Sequence, residues 1–287
     1  MNGFLLIRNI CVENANAIAG QTWGFPAVSN FLGYMHALQR ALAKKWTAEP
    51  LNFTGCAIIS HQFETQTHQA NKYTEHVFAL SRNPLTKEGK TASFVEEGRM
   101  SMTISLLIGI DDLAPFDDVE QQELINLIRL LSEKQRLAGG TITSIGNIRV
   151  EALAQGGVEQ KQQVNFWLRT LLPGFALVAR PDLFIEHSEN FAEQGNLEIH
   201  AWLDSATLHL DPDNKVIAKP YSGWVRPITV GYRAISPVYE AGQIAKSRDR
   251  VSPACFVEYA YSLGQWLSPH RITDFNDLFW KYEAQPK

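Results

Sequence analysis

Cysteine is scarce in this chain of 287 residues: Cys11, Cys56 and Cys255 are the three present. They are too few for a disulfide framework and too far apart for a paired-ligand motif, so they are expected to be reduced packing residues. No apolar run approaches the ~18 residues of a membrane span. The opening FLLIRNICV is broken by Arg8 and Asn9 where a signal peptide is uniformly apolar, and no small-residue cleavage site follows. The cytoplasm is therefore the expected compartment. The eight histidines offer no short paired spacing, even where His61, His68 and His76 share one polar stretch. Neither a metal nor a cofactor is expected. P-loop, GxGxxG and GxSxG signatures are all missing, which leaves a serine hydrolase without an anchor. The carboxylate pairs Asp111-Asp112, Asp117-Asp118 and Glu96-Glu97 are adjacent instead of spaced to share a face. Adjacent carboxylates read as solvated loops, not as acid/base machinery.

What is present is an ordinary globular composition, 45% hydrophobic and 20% charged, which argues against a disordered polymer. One integrated body spanning residues 1–287 is expected. The net charge of −4 is unevenly spread. Residues 1–110 carry nine Lys/Arg against seven Asp/Glu, residues 111–214 seven against seventeen, and residues 215–287 ten against six. A nucleic-acid surface would accordingly draw on the two outer thirds.

The hydrophobic pattern reads in turn as a buried strand over Phe4–Val12, a turn-rich ENANAIAGQTWGFP, and a helix capped by Ser29 or Asn30 and running to about Trp46. A strand over Gly55–Phe63 follows. The polar stretch 64–98 then holds two β-leaning pieces, HVFALSR and TASFVEE, around the turn formers NPLTKEGK, as a projecting hairpin would. Met100–Ile110 reads as a strand, and Asp117 or Asp118 caps a second helix that ends at a left-handed Gly139 or Gly140 in RLAGG. A fourth strand comes from TITSIGNIRV or from FALVAR. The order is then β-α-β-β-α-β, an α+β, ferredoxin-like arrangement shared with RNA-recognition modules. Beyond Gly174 the pattern suggests another strand-helix pair, a strand-rich stretch through KVIAKPYSGWVRPITVGY, and a helix ending near Trp266.

Several residues have the chemistry to hold RNA. His36, Arg40 and Lys44 recur at i, i+4 and i+8 as a basic stripe on the first helix. His36 is also the one histidine placed to be tested as a general base, although no second catalytic group is identified. Trp23 and Phe25 flank Gly24, either to stack on bases or to plug the sheet edge. Asn14 and Asn16 would read base edges or close Asx turns. Arg8 interrupts the first strand. Arg82 and Arg99 bracket the hairpin, where an arginine forks onto phosphate or stacks on a base; for Arg99 an ion pair with Glu96 or Glu97 is the competing reading. Trp224, Arg226, Tyr232, Arg233, His270 and Arg271 form a basic and aromatic mixture like that of single-strand grooves. Convergence of these side chains on one shared cleft is the expectation.

The segments ENANAI, TWGFP, YMHALQRAL, LSRNPL, FVEEGR, RLAGG, LLPGFALVAR, GWVRPITVGYRAISPVY and WLSPHR, in this order from about residue 5 to 280, resemble the type I-F CRISPR-associated Csy-two (Cas-five-f) family. TWGFP followed by HALQR, and GWVRPI with SPVY and WLSPHR, are the discriminating parts. The resemblance implies a RAMP-type, RRM-like body with an inserted β-hairpin thumb at 64–98. It also implies a non-catalytic subunit of the Csy (Cascade-like) surveillance complex. Such a subunit holds the 5′ handle of the crRNA, pairs with the large Csy-one (Cas-eight-f) subunit, reaches toward a Csy-three (Cas-seven-f) backbone subunit, and meets target DNA only through the complex. No membrane partner is implied. The rival readings are a metal-independent endoribonuclease using His36 and a protein-only adaptor. The stretch 185–219 matches no motif of the family.

Overall fold

The apolar run that opens the chain lies inside a longer strand, β1 (Gly3–Asn16). It continues past polar residues because Asn9 and Asn14 adopt φ of 53° and 55°, left-handed values that asparagine tolerates. Both sit at register shifts against the neighbouring strand, between Ile7 and Ile10 and between Val12 and Ala15. Each shift takes up an extra residue, so Leu5, Ile7, Ile10, Val12 and Ala15 all enter one core.

The computed structural model describes residues 1–82, 84–92, 94–189, 197–207, 209–213, 215, 224–247 and 249–282, without the side chains of 80–82, 94–96, 197–198 and 224. After β1 come β2 (Ile18–Ala19), β3 (Thr22–Trp23), α1 (Val28–Leu42), β4 (Asn52–Thr65), β5 (Thr67–His68), β6 (Val77–Arg82), β7 (Phe94–Glu97) and β8 (Arg99–Asp111). The chain continues through α2 (Asp118–Glu133), β9 (Arg136–Leu137), β10 (Gly140–Ile145), β11 (Ile148–Ala152), α3 (Gly157–Thr170), β12 (Phe175–Ala179), α4 (Pro181–Glu189), α5 (Leu197–Ala206), β13 (Trp224–Ala234) and β14 (Val257–Leu267).

Among the described residues a nine-stranded sheet runs β13-β14-β12-β4-β8-β1-β10-β9, with β11 also paired to β1. Its first half follows the expected β-α-β-β-α-β order, so the α+β class stands. The fourth strand is TITSIGNIRV, divided into β10 and β11, which pair with the outer and inner halves of β1. FALVAR supplies β12 instead, which pairs with the opposite edge, β4, and extends the sheet to β14 and β13. One face of the sheet is covered by Phe31 and Leu38 of α1 and Leu124 and Ile128 of α2, all fully buried. The other is covered by Trp167 and Leu168 of α3, with Phe4 edge-on to Trp167 at 5.1 Å. HVFALSR and TASFVEE do pair: Ala79 faces Glu97 and Arg82 faces Phe94, in a small sheet separate from the main one.

Local signals explain most of the boundaries. Asp117 Oδ1 accepts from the backbone N–H groups of Val119 and Glu120, and Glu120 returns a carboxylate oxygen to the Asp117 N–H, a complete capping box. Helix α1 starts earlier than expected, with Ala27 at its N-cap and no side-chain cap, because Pro26 sets the chain up just ahead of it. It ends at Leu42, short of Trp46.

Three expectations are corrected. The segment before Trp266 is strand β14, not helix; its β-branched and aromatic residues alternate, and it pairs with β13 from Val257 to Trp266. RLAGG is not the end of the second helix, which stops at Glu133 with Lys134 as its C-cap. Ala138 and Gly139, at φ of 50° and 77°, instead form the two-residue turn joining β9 to β10. Of the cysteines, Cys56 is buried, Cys11 half-buried and Cys255 exposed, so Cys255 is not a packing residue. Helix α3 had no sequence assignment. No helix among the described residues is long and apolar enough to cross a membrane.

Candidate nucleic-acid interface

Asn14, left-handed at the second register shift of β1, lies within reach of the side chain of Arg99, the first residue of β8, whose partner across the ladder is Asn16. The Arg99 guanidinium donates to the Asn14 carbonyl at 3.4 Å and to Glu97 at 3.4 and 3.5 Å. The amide of Gln66 donates to Asn14 Oδ1 at 3.2 Å. With Ala79, Glu97, Arg136, Gly139 and Thr141 these residues line a polar cleft of about 430 Å³. Arg136 is exposed and reaches the Gly139 carbonyl at 3.3 Å. Two guanidinium groups, two side-chain amides and a hydroxyl thus face one opening, against one carboxylate. That donor set suits a phosphate and the edge of a base. The ion pair foreseen for Arg99 exists, with Glu97, but at lengths that leave the guanidinium open to a better acceptor.

The TWGFP turn builds a second site. The Asn16 amide donates to the Ile18 carbonyl at 2.7 Å and its Oδ1 accepts from the Ile18 N–H, closing a local turn, so Asn16 is spent on its own backbone. Thr229 donates to the Ala19 carbonyl at 2.6 Å and Thr22 to the same oxygen at 2.8 Å, pinning β2 and β3 against β13. The paired aromatics then divide. Phe25 is the plug, stacked on Phe31 at 5.6 Å and edge-on to Trp266 at 4.9 Å. Trp23 stays 68% exposed. Between them opens a groove of about 530 Å³, walled by Trp23, Phe25, Phe63, Phe175 and Trp266, with Arg226 at its side.

His61 forms part of the floor, and both its ring nitrogens are engaged. Nδ1 donates to the Pro173 carbonyl at 2.5 Å and Nε2 accepts from the Ser105 hydroxyl at 2.6 Å. Ser105 in turn accepts the N–H of Asn9 at 3.0 Å, which ties His61 to the first register shift of β1.

The remaining predicted residues do not join these sites. Arg8 is half-buried and donates to the Leu172 carbonyl at 3.3 Å, a tie to the loop after α3. His36 and Arg40 are exposed on the outer face of α1, as the stripe predicted, with no hydrogen bond to His36 among the described residues. Arg233 lies opposite Glu258 on the outer part of the β13–β14 ladder, and Arg271 is exposed in a 3₁₀ turn, Pro269–Arg271. The side chains of Arg82, Glu96 and Trp224 lie outside the described residues. The predicted set is therefore divided between two lined sites and several separate surfaces, and the expectation of one shared cleft is replaced by this arrangement. Among the described residues, the predicted side chains that come together do so at these two sites.

Sequence reasoning missed Arg136, hidden inside an assumed helix end, and Phe63 and Phe175, read as strand interior. On the open part of the sheet face, Cys11, Glu13, Gln62, Glu64, Ser101, Thr103 and Thr143 line a shallow 200 Å³ depression whose lining holds two carboxylates and no cation. In the stretch 185–219, the Asp204 carboxylate meets His187 at 2.8 Å and His209 at 3.0 Å, joining α5 to α4.

Comparison with known proteins bears on these sites. Residues 5–287 match the family model for CRISPR-associated protein (Cas_Csy2). The chain is similar to the CRISPR-associated protein Csy2 of Pseudomonas aeruginosa (strain UCBPP-PA14), at 38% identity over 308 residues, covering 98% of this chain and 92% of the relative.

Proposed function

Because the chain belongs to the CRISPR-associated Csy2 family, we propose that it is a non-catalytic, cytoplasmic RNA-binding subunit of a type I-F effector complex that holds the 5′ handle of the crRNA. The observation that carries this reading is the cleft in which Arg99 and Arg136 face one opening beside Asn14, Gln66 and Thr141. Phosphate contacts from the two arginines would position the strand, and the amides would read base edges. The sheet order β4-β8-β1-β10, with α1 and α2 on one face, supports a ferredoxin-like body. On the same reading the β6–β7 hairpin is its thumb, reaching toward a Csy-three backbone subunit, while the large Csy-one subunit pairs with the handle end and target DNA is met through the complex. Cleavage by His36 would require a second group to stabilise the leaving oxygen or the phosphorane.

The test is titration of the full-length chain with fluorescently labelled handle RNA at several salt concentrations. Changing Arg99 and Arg136 together to alanine is expected to weaken binding at least tenfold and to reduce the salt slope by about 1.4, two phosphates at ~0.7 each for a single strand. Unchanged affinity and slope would remove the cleft from the interface. Cleavage of repeat RNA without metal, lost in His36→Ala, would replace the reading with the nuclease one.

A further inference from the structure

We propose that the aromatic groove between Trp23 and Trp266 holds a single unstacked nucleobase of the bound RNA, with Arg226 on the adjoining phosphate; this rests on the RNA-binding reading above. Five Trp and Phe rings face the space, beside four aliphatic side chains, Pro26, Leu177, Pro227 and Ile228. An aliphatic partner side chain needs no such ring surface, whereas a base gains most of its binding from it. Three of the rings are held open instead of closing on one another: Trp23, Phe63 and Phe175 remain 68%, 47% and 52% exposed. Rings of that size left in water on a folded chain mark a contact surface.

The polar groups that interrupt the lining favour a base over an aromatic protein side chain. Ser60 and Gln62 both line the groove, and neither side chain has a hydrogen-bond partner among the described residues. An amide that both donates and accepts matches a base edge. Arg226 is exposed at the side of the groove; among the described residues its guanidinium donates to the Val225 carbonyl at 3.1 Å and forms no ion pair with a carboxylate. A cation without a counter-charge beside stacked rings is the pairing that a nucleotide satisfies with its phosphate and its base together. The volume of about 530 Å³ lies within the ~300 to 1,000 Å³ usual for small-molecule sites.

The groove and the cleft of Arg99 both border β6. Trp23 lies against Phe78, and the next residue, Ala79, lines that cleft. Successive side chains of a strand point to opposite sides, so β6 separates the two sites and a strand passing around it would meet both.

The experiment uses the full-length chain and a series of handle RNAs in which each base in turn is removed to leave an abasic sugar. One abasic position is expected to bind about 5- to 100-fold more weakly than intact RNA. Trp23→Ala should lose a similar factor on intact RNA and nothing further on that abasic RNA, while Trp23→Phe retains most of the affinity. Arg226→Ala should weaken every RNA alike and reduce the salt slope by about 0.7. If the Trp23→Ala and abasic losses simply multiply, or if no position is sensitive while the Arg99 and Arg136 change still weakens binding, the groove holds no base although the chain binds RNA. Undiminished RNA affinity in Trp23→Ala, with loss of a co-purifying protein subunit, would assign the groove to protein and overturn the proposal. Failure of the wild-type chain to bind any handle RNA would overturn both readings.

Discussion

Trp23 meets Phe78 edge-on, with ring centroids 5.9 Å apart and planes at 87°. The contact joins two segments that the sheet itself does not hold together, the β2–β3 turn and the root of the β6–β7 hairpin. Backbone bonds reinforce it: the Ala17 N–H donates to the Gly98 carbonyl at 2.8 Å, and the Gly24 N–H to the Ala17 carbonyl at 2.8 Å. Phe78 is buried and Trp23 is not, so Phe78 anchors the root while Trp23 remains available.

Phe78→Ala should therefore release the hairpin root from the turn. Truncating a buried Phe costs about 3 to 5 kcal/mol, and the lower end is expected here because the site borders solvent. Urea denaturation measures the loss. Hydrogen exchange should speed up at Ala17 and Gly24 while the amides of β8 keep their protection. Uniform acceleration across the sheet would show that Phe78 belongs to the central core instead.

Glu97 lines the same cleft as Arg99. Its carboxylate offers Arg99 a hydrogen bond of 3.4 Å, but it would also repel an anion placed in the cleft. Exposed pairs of this kind contribute at most ~1 kcal/mol to stability. Glu97→Gln is expected to leave the unfolding midpoint nearly unchanged and to tighten RNA binding about three- to tenfold at low salt, with the gain shrinking as salt screens it. Weaker binding in Glu97→Gln would mean that the carboxylate positions Arg99 for its ligand.

The sequence was most informative where a signal was local. The apolar run of β1, the Asp117 helix cap and the turn formers between β6 and β7 each act within a few residues, and each appears in the structure close to its predicted place. Pairing between distant segments carried no such signal. FALVAR is buried at three successive residues, Ala176, Leu177 and Val178, beside β4, while β10 beside β1 alternates buried and exposed positions, but neither pattern names the partner strand in advance. Tyr259, Tyr261 and Leu263 read as helix or strand until β13 is known to lie alongside. The candidate sites follow the same rule. Asn14, Trp23 and Arg226 were visible as residue types suited to RNA, yet the groove is assembled from five separate segments and its walls, Phe63 and Phe175, look like core residues in sequence. Arg136 was lost because a Gly-Gly pair after a helical pattern resembles a helix cap until its partner strand is seen.

Arg180 and Asp182 give a pH dependence with a definite sign. Hydrogen bonds from the Arg180 guanidinium, at 2.6 to 3.1 Å, hold the Asp182 carboxyl below the usual carboxylate range, against a smaller opposing effect of burial. A carboxyl depressed in the folded state adds stability above its unfolded pKa of about 3.9, and that contribution is lost as pH falls through the lower folded value. Asp182 is mostly exposed, so solvent screens much of the effect. Asp182→Asn should be slightly less stable than wild type at pH 7, and the difference should shrink as pH falls below about 3.9. Urea midpoints for both proteins at pH 7, 5, 4 and 3 measure this; a difference that persists undiminished at pH 3 would point to packing, not charge.

Gly139 and Gly140 are neighbours that are glycine for different reasons, and alanine substitutions separate them. Gly139 has φ of 77° and open space where a side chain would go, so Gly139→Ala meets only the backbone cost of the left-handed region, about 1 to 2 kcal/mol. Gly140 is not left-handed, but an added Cβ would come within 2.7 Å of the Glu13 carbonyl oxygen and 2.8 Å of the Ala15 nitrogen. These are backbone atoms of β1 and cannot rotate away. Gly140→Ala must push β10 from β1, an overpacking cost of about 1 to 3 kcal/mol, and it moves Thr141 and the turn that carries Arg136. The two variants should therefore differ in function more than in stability. Gly139→Asn, which tolerates the left-handed backbone, should recover most of the stability lost in Gly139→Ala and bind RNA normally. Gly140→Ala should weaken RNA binding even at temperatures where it is fully folded by circular dichroism. Normal RNA affinity in folded Gly140→Ala would show that the position of the β9–β10 turn does not govern the cleft.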